Sequence, residues 1–158
     1  MAHVLAEDAK LYYSTASYEA DPADPATYWT EICNVKDLTL SLEKDEIDVT
    51  TRCSGGFKEY ADGLLDANVT FNMLYDPADA AFTALQSAFY AKTAVEFAVM
   101  DGALPAPAGS TSQGLRASCM IKSFSRSESL GEALMTDVAI RPVVNENAAP
   151  AWYSDTTA

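Results

Sequence analysis

Four carboxylates fall within six residues, Glu43, Asp45, Glu46 and Asp48. They are the one place in this chain where an acid–base pair or a cation site could be assembled from neighbours. The run lacks the fixed ligand spacing and the glycine of a calcium loop, so it reads as the solvated tip of a hairpin. His3 is the only histidine and stands at the start of the chain. That removes Ser-His-Asp and Cys-His mechanisms and leaves a histidine-based metal site without ligands. Cys33, Cys53 and Cys119 are odd in number, widely spaced and form no CxxC pair, so they read as reduced core or surface residues. Neither G-x-G-x-x-G nor G-x-x-x-x-G-K-[ST] occurs, and Ser54-Gly55-Gly56-Phe57 is two glycines in a loop rather than a phosphate cradle. No catalytic residue, cofactor or metal is expected.

Charge narrows the partners. The chain has 158 residues, with 23 acidic against 10 basic side chains and a net charge of −13. Duplex DNA carries one negative charge per roughly 1.7 Å of axis, and proteins that grip it neutralise phosphates. This composition suits solubility, or a surface past which nucleic acid must slide without sticking. Basic residues interleaved with aromatics, the mark of single-strand binding, are missing. With 49% apolar residues the chain can bury a core, and its length fits one domain with a flexible N-terminal segment and C-terminal tail. No run of eighteen apolar residues exists to span a membrane as a helix. The first eight residues lack the basic and apolar regions of a secretory signal, which points to a cytoplasm as the place of synthesis.

The elements that would carry such a surface are arranged around residues 68–102. In Asn68-Val69-Thr70-Phe71-Asn72-Met73-Leu74-Tyr75, large apolar side chains alternate with smaller or polar ones, the signal of a strand with one buried face. Asp76-Pro77-Ala78-Asp79 reads as a helix start capped by Asp76, and Ala81, Phe82, Leu85, Ala88 and Phe89 share one stripe of a helix over 77–92. Val95, Phe97 and Val99 alternate again after it. Upstream, Leu38, Leu40 and Leu42 alternate with Thr39, Ser41 and Glu43, and Ile47-Asp48-Val49-Thr50 forms a second short strand. Between 51 and 66 the pattern stops. A loop that long in a compact domain is uncommon unless it has a task, and Phe57 and Tyr60 read as anchors onto something. Strands follow over 115–124 and 133–143, with Asp21-Pro22 and Asp24-Pro25 marking early turns. The sum is a mainly β, antiparallel sandwich or barrel with one flanking α-helix.

The order of these elements resembles the major tail tube proteins of long-tailed bacteriophages. The runs that carry it are Val35-Lys36-Asp37-Leu38-Thr39-Leu40-Ser41-Leu42, Glu46-Ile47-Asp48-Val49-Thr50-Thr51-Arg52 and Gly63-Leu64-Leu65-Asp66-Ala67-Asn68-Val69-Thr70-Phe71. Tyr75-Asp76 leading into the helix, Val95-Glu96-Phe97 after it and the strand ending at Pro142 extend it, so that it covers about residues 28–152. The resemblance implies six-membered rings stacked into a tube in the virion tail, with DNA passing through without specific binding. It also implies contacts with tape measure, tail tip and terminator proteins, and synthesis in the host bacterial cytoplasm. In that family the long loop reaches the adjacent ring, and the matching residues here are Arg52, Phe57, Lys58, Glu59, Tyr60 and Asp62. Thr39, Ser41, Glu43, Thr70, Asn72 and Glu96 are expected to face the bore.

Three other readings stand beside it. A monomeric small β-barrel could hold an apolar ligand between Phe71, Phe97 and Val99. A related tube from a secretion or gene-transfer particle shares the same elements. An acid–base enzyme built on the carboxylates from Glu43 to Asp48 has the least support.

Overall fold

The structure, a computed structural model, describes residues 3–19, 22–144 and 149–156. Asp21 of the first Asp-Pro turn and residues 145–148 of the polar tail lie outside the described residues.

Eight strands form one antiparallel sheet: β1 (Lys10–Ser14), β2 (Thr30–Glu31), β3 (Val35–Asp48), β4 (Tyr60–Leu74), β5 (Val95–Met100), β6 (Thr111–Ser127), β7 (Met135–Pro142) and β8 (Ala151–Thr156). A single-turn helix α1 (Pro25–Tyr28) precedes β2, and α2 (Ala80–Ala91) joins β4 to β5. The strand order is β2-β1-β5-β6-β7-β4-β3, with β8 pairing the first part of β6. The sheet is mainly antiparallel with a flanking helix, as expected, but it does not close, and among the described residues the outer edge of β3 has no ladder partner. Residues 10–14, with the apolar run Leu11-Tyr12-Tyr13, pair with β5 inside the sheet, and residues 151–156 of the tail read as flexible pair with β6.

Alternation decides which face is dry. Val69, Phe71 and Met73 of β4, Val95 and Phe97 of β5, Ala117, Cys119 and Ile121 of β6, and Val138 and Ile140 of β7 all point to one side. There they meet Ala81, Phe82, Leu85 and Ala88 of α2, whose spacing of three and four places them on one stripe. Tyr75, Phe82 and Phe124 add edge-on and tilted ring contacts at centroid separations of 5.1 and 5.5 Å. Phe71 and Phe97 belong to this packed cluster and Val99 lies against it, so they fill a core and do not line a ligand cavity.

The helix starts later than the sequence suggests. Asp79, not Asp76, is the cap: its backbone is extended and its carboxylate accepts from the Ala81 N–H at 3.3 Å. Asp76 accepts from Ala78 at 3.0 Å and shapes the turn through Pro77. Asn34 donates to Asp79 at 3.0 Å, which ties the helix start to the entry of β3.

The largest departure concerns the carboxylate run. Lys44-Asp45-Glu46 is not a hairpin tip but lies inside the single long strand β3; the register against β4 shifts there because Gly63 and Leu64 of β4 stand opposite the one residue Asp45. Gly63 sits opposite; a Cβ there would lie 2.8 Å from both the Cβ and the carbonyl oxygen of Asp45. Three consecutive charged residues at 44–46 mimic a turn in the sequence although β3 runs straight through them. The pattern-free stretch is correspondingly shorter, because residues 60–66 belong to β4 and the connecting loop spans only 49–59.

Leu85 is fully buried at the centre of the α2 contact, whereas Tyr90 on the same helix is exposed. Leu85→Ala should cost about 2–5 kcal/mol of unfolding free energy in urea titrations, and Tyr90→Ala should stay within about 0.5 kcal/mol of the wild type.

Candidate functional site

Strands β3 and β4 run for 14 and 15 residues, two to three times the usual strand length. Beyond Leu42 and Ala67 they leave the rest of the sheet behind and pair only with each other. Leu42 and Leu65 continue the core-facing side of these strands, where among the described residues they are 50% and 72% exposed. Leu64 on the opposite side is 81% exposed and Phe57 at the apex 79% exposed, with Ile47, Val49 and Tyr60 also open to solvent. Apolar side chains collected on one projecting element mark a contact surface.

The apex is shaped by its own hydrogen bonds. Val49 donates to the Glu59 carbonyl at 2.9 Å, Glu59 donates to the Thr50 hydroxyl at 3.0 Å, and Ser54 bonds back to Thr51. Gly55 and Gly56 take φ of +64° and +87°, values that side-chain-bearing residues rarely adopt, and they turn the chain so that Phe57 can donate to Ser54 at 3.2 Å. The Thr50 hydroxyl, and next its backbone N–H, hold the Asp48 carboxyl below the ordinary carboxylate range. That brace is present at neutral pH and is lost as pH falls through the lowered value. Of the residues expected to reach a neighbour, Arg52, Phe57, Lys58 and Glu59 lie in this loop. Tyr60 and Asp62 open β4, where Asp62 pairs with Lys44 at 3.3 Å.

A second surface lies on the sheet face away from α2. Two rows cross four strands there: Thr39, Thr70, Ala139 and Ser123, then Asp37, Asn72, Asp137 and Ser125. Asp37 and Asn72 are joined through side chain and backbone at 3.0 and 3.4 Å. Ser41 and Glu43 continue the face along the hairpin, with Glu43 opposite Asp66. Thr39, Glu43 and Thr70 are exposed, and Ser41 and Asn72 half-buried, so five of the six polar positions read from alternation share one open face.

Glu96 is the sixth, and it corrects the expectation. Its side chain points away from α2 as alternation requires, but it is only 6% exposed, because that half of the face is roofed by the N-terminal segment. Arg116 donates to it at 2.5 Å, and the Tyr28 hydroxyl donates to its other oxygen. The guanidinium lies 4.9–5.6 Å from the ring centres of Tyr18, Tyr28, Trp29 and Tyr153 and also donates to the Glu19 carbonyl. One ion pair thus fastens the N-terminal segment and β8 to β5 and β6. Burial, then the Glu96 carboxylate, pushes the Tyr28 hydroxyl above the usual phenol range, which keeps it a donor at neutral pH. Sequence reading missed this cluster, since its members are far apart in the chain, Arg116 and Glu19 by 97 positions.

The carboxylates from Glu43 to Asp48 are spread along an exposed strand. Among the described residues no group of three His, Cys, Asp or Glu side chains converges to hold a metal. Burial pushes the Cys119 thiol up to about 12, while Cys33 and Cys53 are exposed.

Open edge, projecting apolar hairpin and uncovered polar face together define a subunit made to meet others. The same conclusion comes from comparison: residues 18–140 match the phage tail tube protein family. The chain belongs to that family, a structural component of the virion tail. A chain in the virion of a native gene transfer agent particle shares the fold with a TM-score of 0.67 at 17% identity, over 94% of this chain and 98% of that one. The SPP1 tail tube protein aligns with a TM-score of 0.68 at 12% identity, over 98% and 81%. A chain in the extended sheath–tube complex of an extracellular contractile injection system follows at 0.59 and 7% identity, over 98% and 93%. No curated protein matches the chain by sequence.

Removing the guanidinium strands Glu96 in a dry site. Arg116→Ala should therefore destabilise the subunit by about 3–5 kcal/mol in chemical denaturation, far beyond the effect of an exposed Lys→Ala control such as Lys122→Ala.

Proposed function

We propose that copies of this chain, each a single tail tube domain, join into six-membered rings that stack into a tube carrying genome DNA. The role is purely structural, without catalysis or cofactor. The observation that carries this reading is the open sheet: the unpaired edge of β3 borders directly on an uncovered polar face. A second copy that pairs along that edge extends the sheet around a ring and satisfies its backbone groups. The tail of the empty gene transfer agent particle was refined with C6 symmetry, which supports six as the number.

In such a ring α2 faces outward and Thr39, Ser41, Glu43, Thr70 and Asn72 line the bore. Asp37, Asp66 and Asp137 share that face with Glu43, against Arg141 as the cation of β7. At physiological salt, screening over about 8–10 Å leaves repulsion only near contact. A negative lining then keeps phosphates from binding to the wall during passage. The apex loop, through Arg52, Phe57, Lys58, Glu59, Tyr60 and Asp62, reaches the next ring. Tape measure, tail tip and terminator proteins complete the tail. A gene-transfer particle is the second setting for the same tube, supported by the near end-to-end alignment with that particle's chain.

Negative-stain micrographs of the purified protein should show rings or tubes; monomers at high concentration with a bound hydrophobe contradict the proposal. Replacing residues 51–58 by Asn-Gly, a turn that closes hairpins, should leave the circular dichroism unchanged and stop elongation. Tubes of normal length from that variant would exclude the loop from inter-ring contact.

A further inference from the structure

The two ends of the β3–β4 hairpin are chemically complementary. At one end stands the apex loop. In a chain of net charge −13, residues 50–59 hold Arg52 and Lys58 against the single acid Glu59, and beside them the exposed ring of Phe57. Neither cation is engaged in an ion pair within the subunit among the described residues. At the other end, Leu74 pairs with Met135 and Tyr75 donates to the Leu134 carbonyl at 3.0 Å, which places the β6–β7 turn at the foot of β4. That turn carries Glu128 and Glu132 around Leu130, the most exposed large apolar side chain of the chain's described residues, with Leu134 beside it. Glu128 already holds Arg126 at 2.5 Å, while Glu132 has no ion-pair partner among the described residues. The turn borders an open concavity of about 550 Å³ lined by Arg126, Glu128, Leu130, Glu132 and Leu134.

From Tyr60 to Met73 the strand covers 13 steps, which separates the two ends by on the order of 45 Å. A single subunit therefore cannot bring them together. A translated copy can. Patches of unlike character at opposite ends make a heterologous contact, which repeats along one axis without closing.

We propose that the apex loop of one copy docks on the β6–β7 turn of a copy in the next layer, with Phe57 against Leu130 and Leu134 and with Arg52 and Lys58 facing Glu128 and Glu132. This rests on the tube reading above and names the acceptor that the loop finds. Charge complementarity fixes the polarity of stacking, since apex against apex sets cations together and turn against turn sets acids together.

The test is a charge exchange in the full-length protein, read by sedimentation and electron microscopy. Arg52→Glu with Lys58→Glu, and separately Glu128→Lys with Glu132→Lys, should each lower the yield of long tubes by at least about tenfold. Combining all four should restore it. If either pair polymerises like the wild type, or if the combination fails to recover while circular dichroism shows a folded subunit, the docking is wrong. Wild-type protein that forms no tubes under the same conditions would bring down the tube reading itself and the docking with it. A second measurement does not depend on charge. In a Cys33→Ser background the exposed Cys53 of the apex is retained and Leu130→Cys is added. Oxidation of tubes with copper phenanthroline should then give a ladder of trimers and longer species; dimers alone, as from the Cys33→Ser background itself, would overturn the proposal.

Discussion

Among the described residues, backbone N–H and C=O groups along the outer side of β3 have no strand beside them, and most other features of the molecule answer to that. A sheet that stops at a 14-residue edge is a template for pairing. Monomeric proteins blunt such edges with short strands, prolines or covering loops. Here the edge is long and free of proline, and it borders a face whose polar rows need no cover. The asymmetry of the sheet follows: one side is sealed by α2, and half of the other is roofed by the N-terminal segment and held down by Arg116 on Glu96. What stays open is the polar half of that face, with Thr39, Thr70 and Glu43 exposed.

The dry and wet faces do different work. On the α2 side, Val69, Phe71 and Leu85 supply the burial that holds the subunit together before any partner arrives, each worth about 1.5–3 kcal/mol. On the open side, Thr39, Thr70 and Asn72 contribute little to that stability and present hydroxyl and amide groups, beside the carboxylate of Asp37. The projecting half of the hairpin is a third region. Leu42 and Leu65 keep the alternation of a buried strand yet stand exposed among the described residues, the character of a contact surface.

Much of this could be read from residue order, and the misreadings have physical causes. The alternation of Leu38 with Thr39 and of Phe71 with Thr70 showed which face would be dry, and the Ala81–Phe82–Leu85–Ala88 stripe showed what would cover it. The continuity of β3 through Asp45 did not show, because three consecutive charged residues look like a turn, and the extra residue that β4 inserts at Gly63–Leu64 left no mark on β3. The cap passed from Asp76 to Asp79 because two acidic residues flank Pro77 and only the second takes the extended backbone of a cap. Glu96 was assigned the correct side of β5 but the wrong environment. Its cover comes from Tyr28 and its neighbours Tyr18 and Trp29, and its counter-ion from Arg116 on the neighbouring strand, neither of which leaves a trace in the local pattern around Val95 and Phe97. The family could be recognised because its signature lies in this same succession of strands, helix and loop.

The central claim is that a second copy completes the sheet at β3. Hydrogen–deuterium exchange of peptides within 35–48, compared between dispersed subunits and assembled tubes, reads that edge directly. The account predicts slowing by at least about tenfold on assembly, with peptides from the already paired β7 changing far less. Equal exchange along β3 in the two states would mean that copies meet without joining their sheets, and would contradict it.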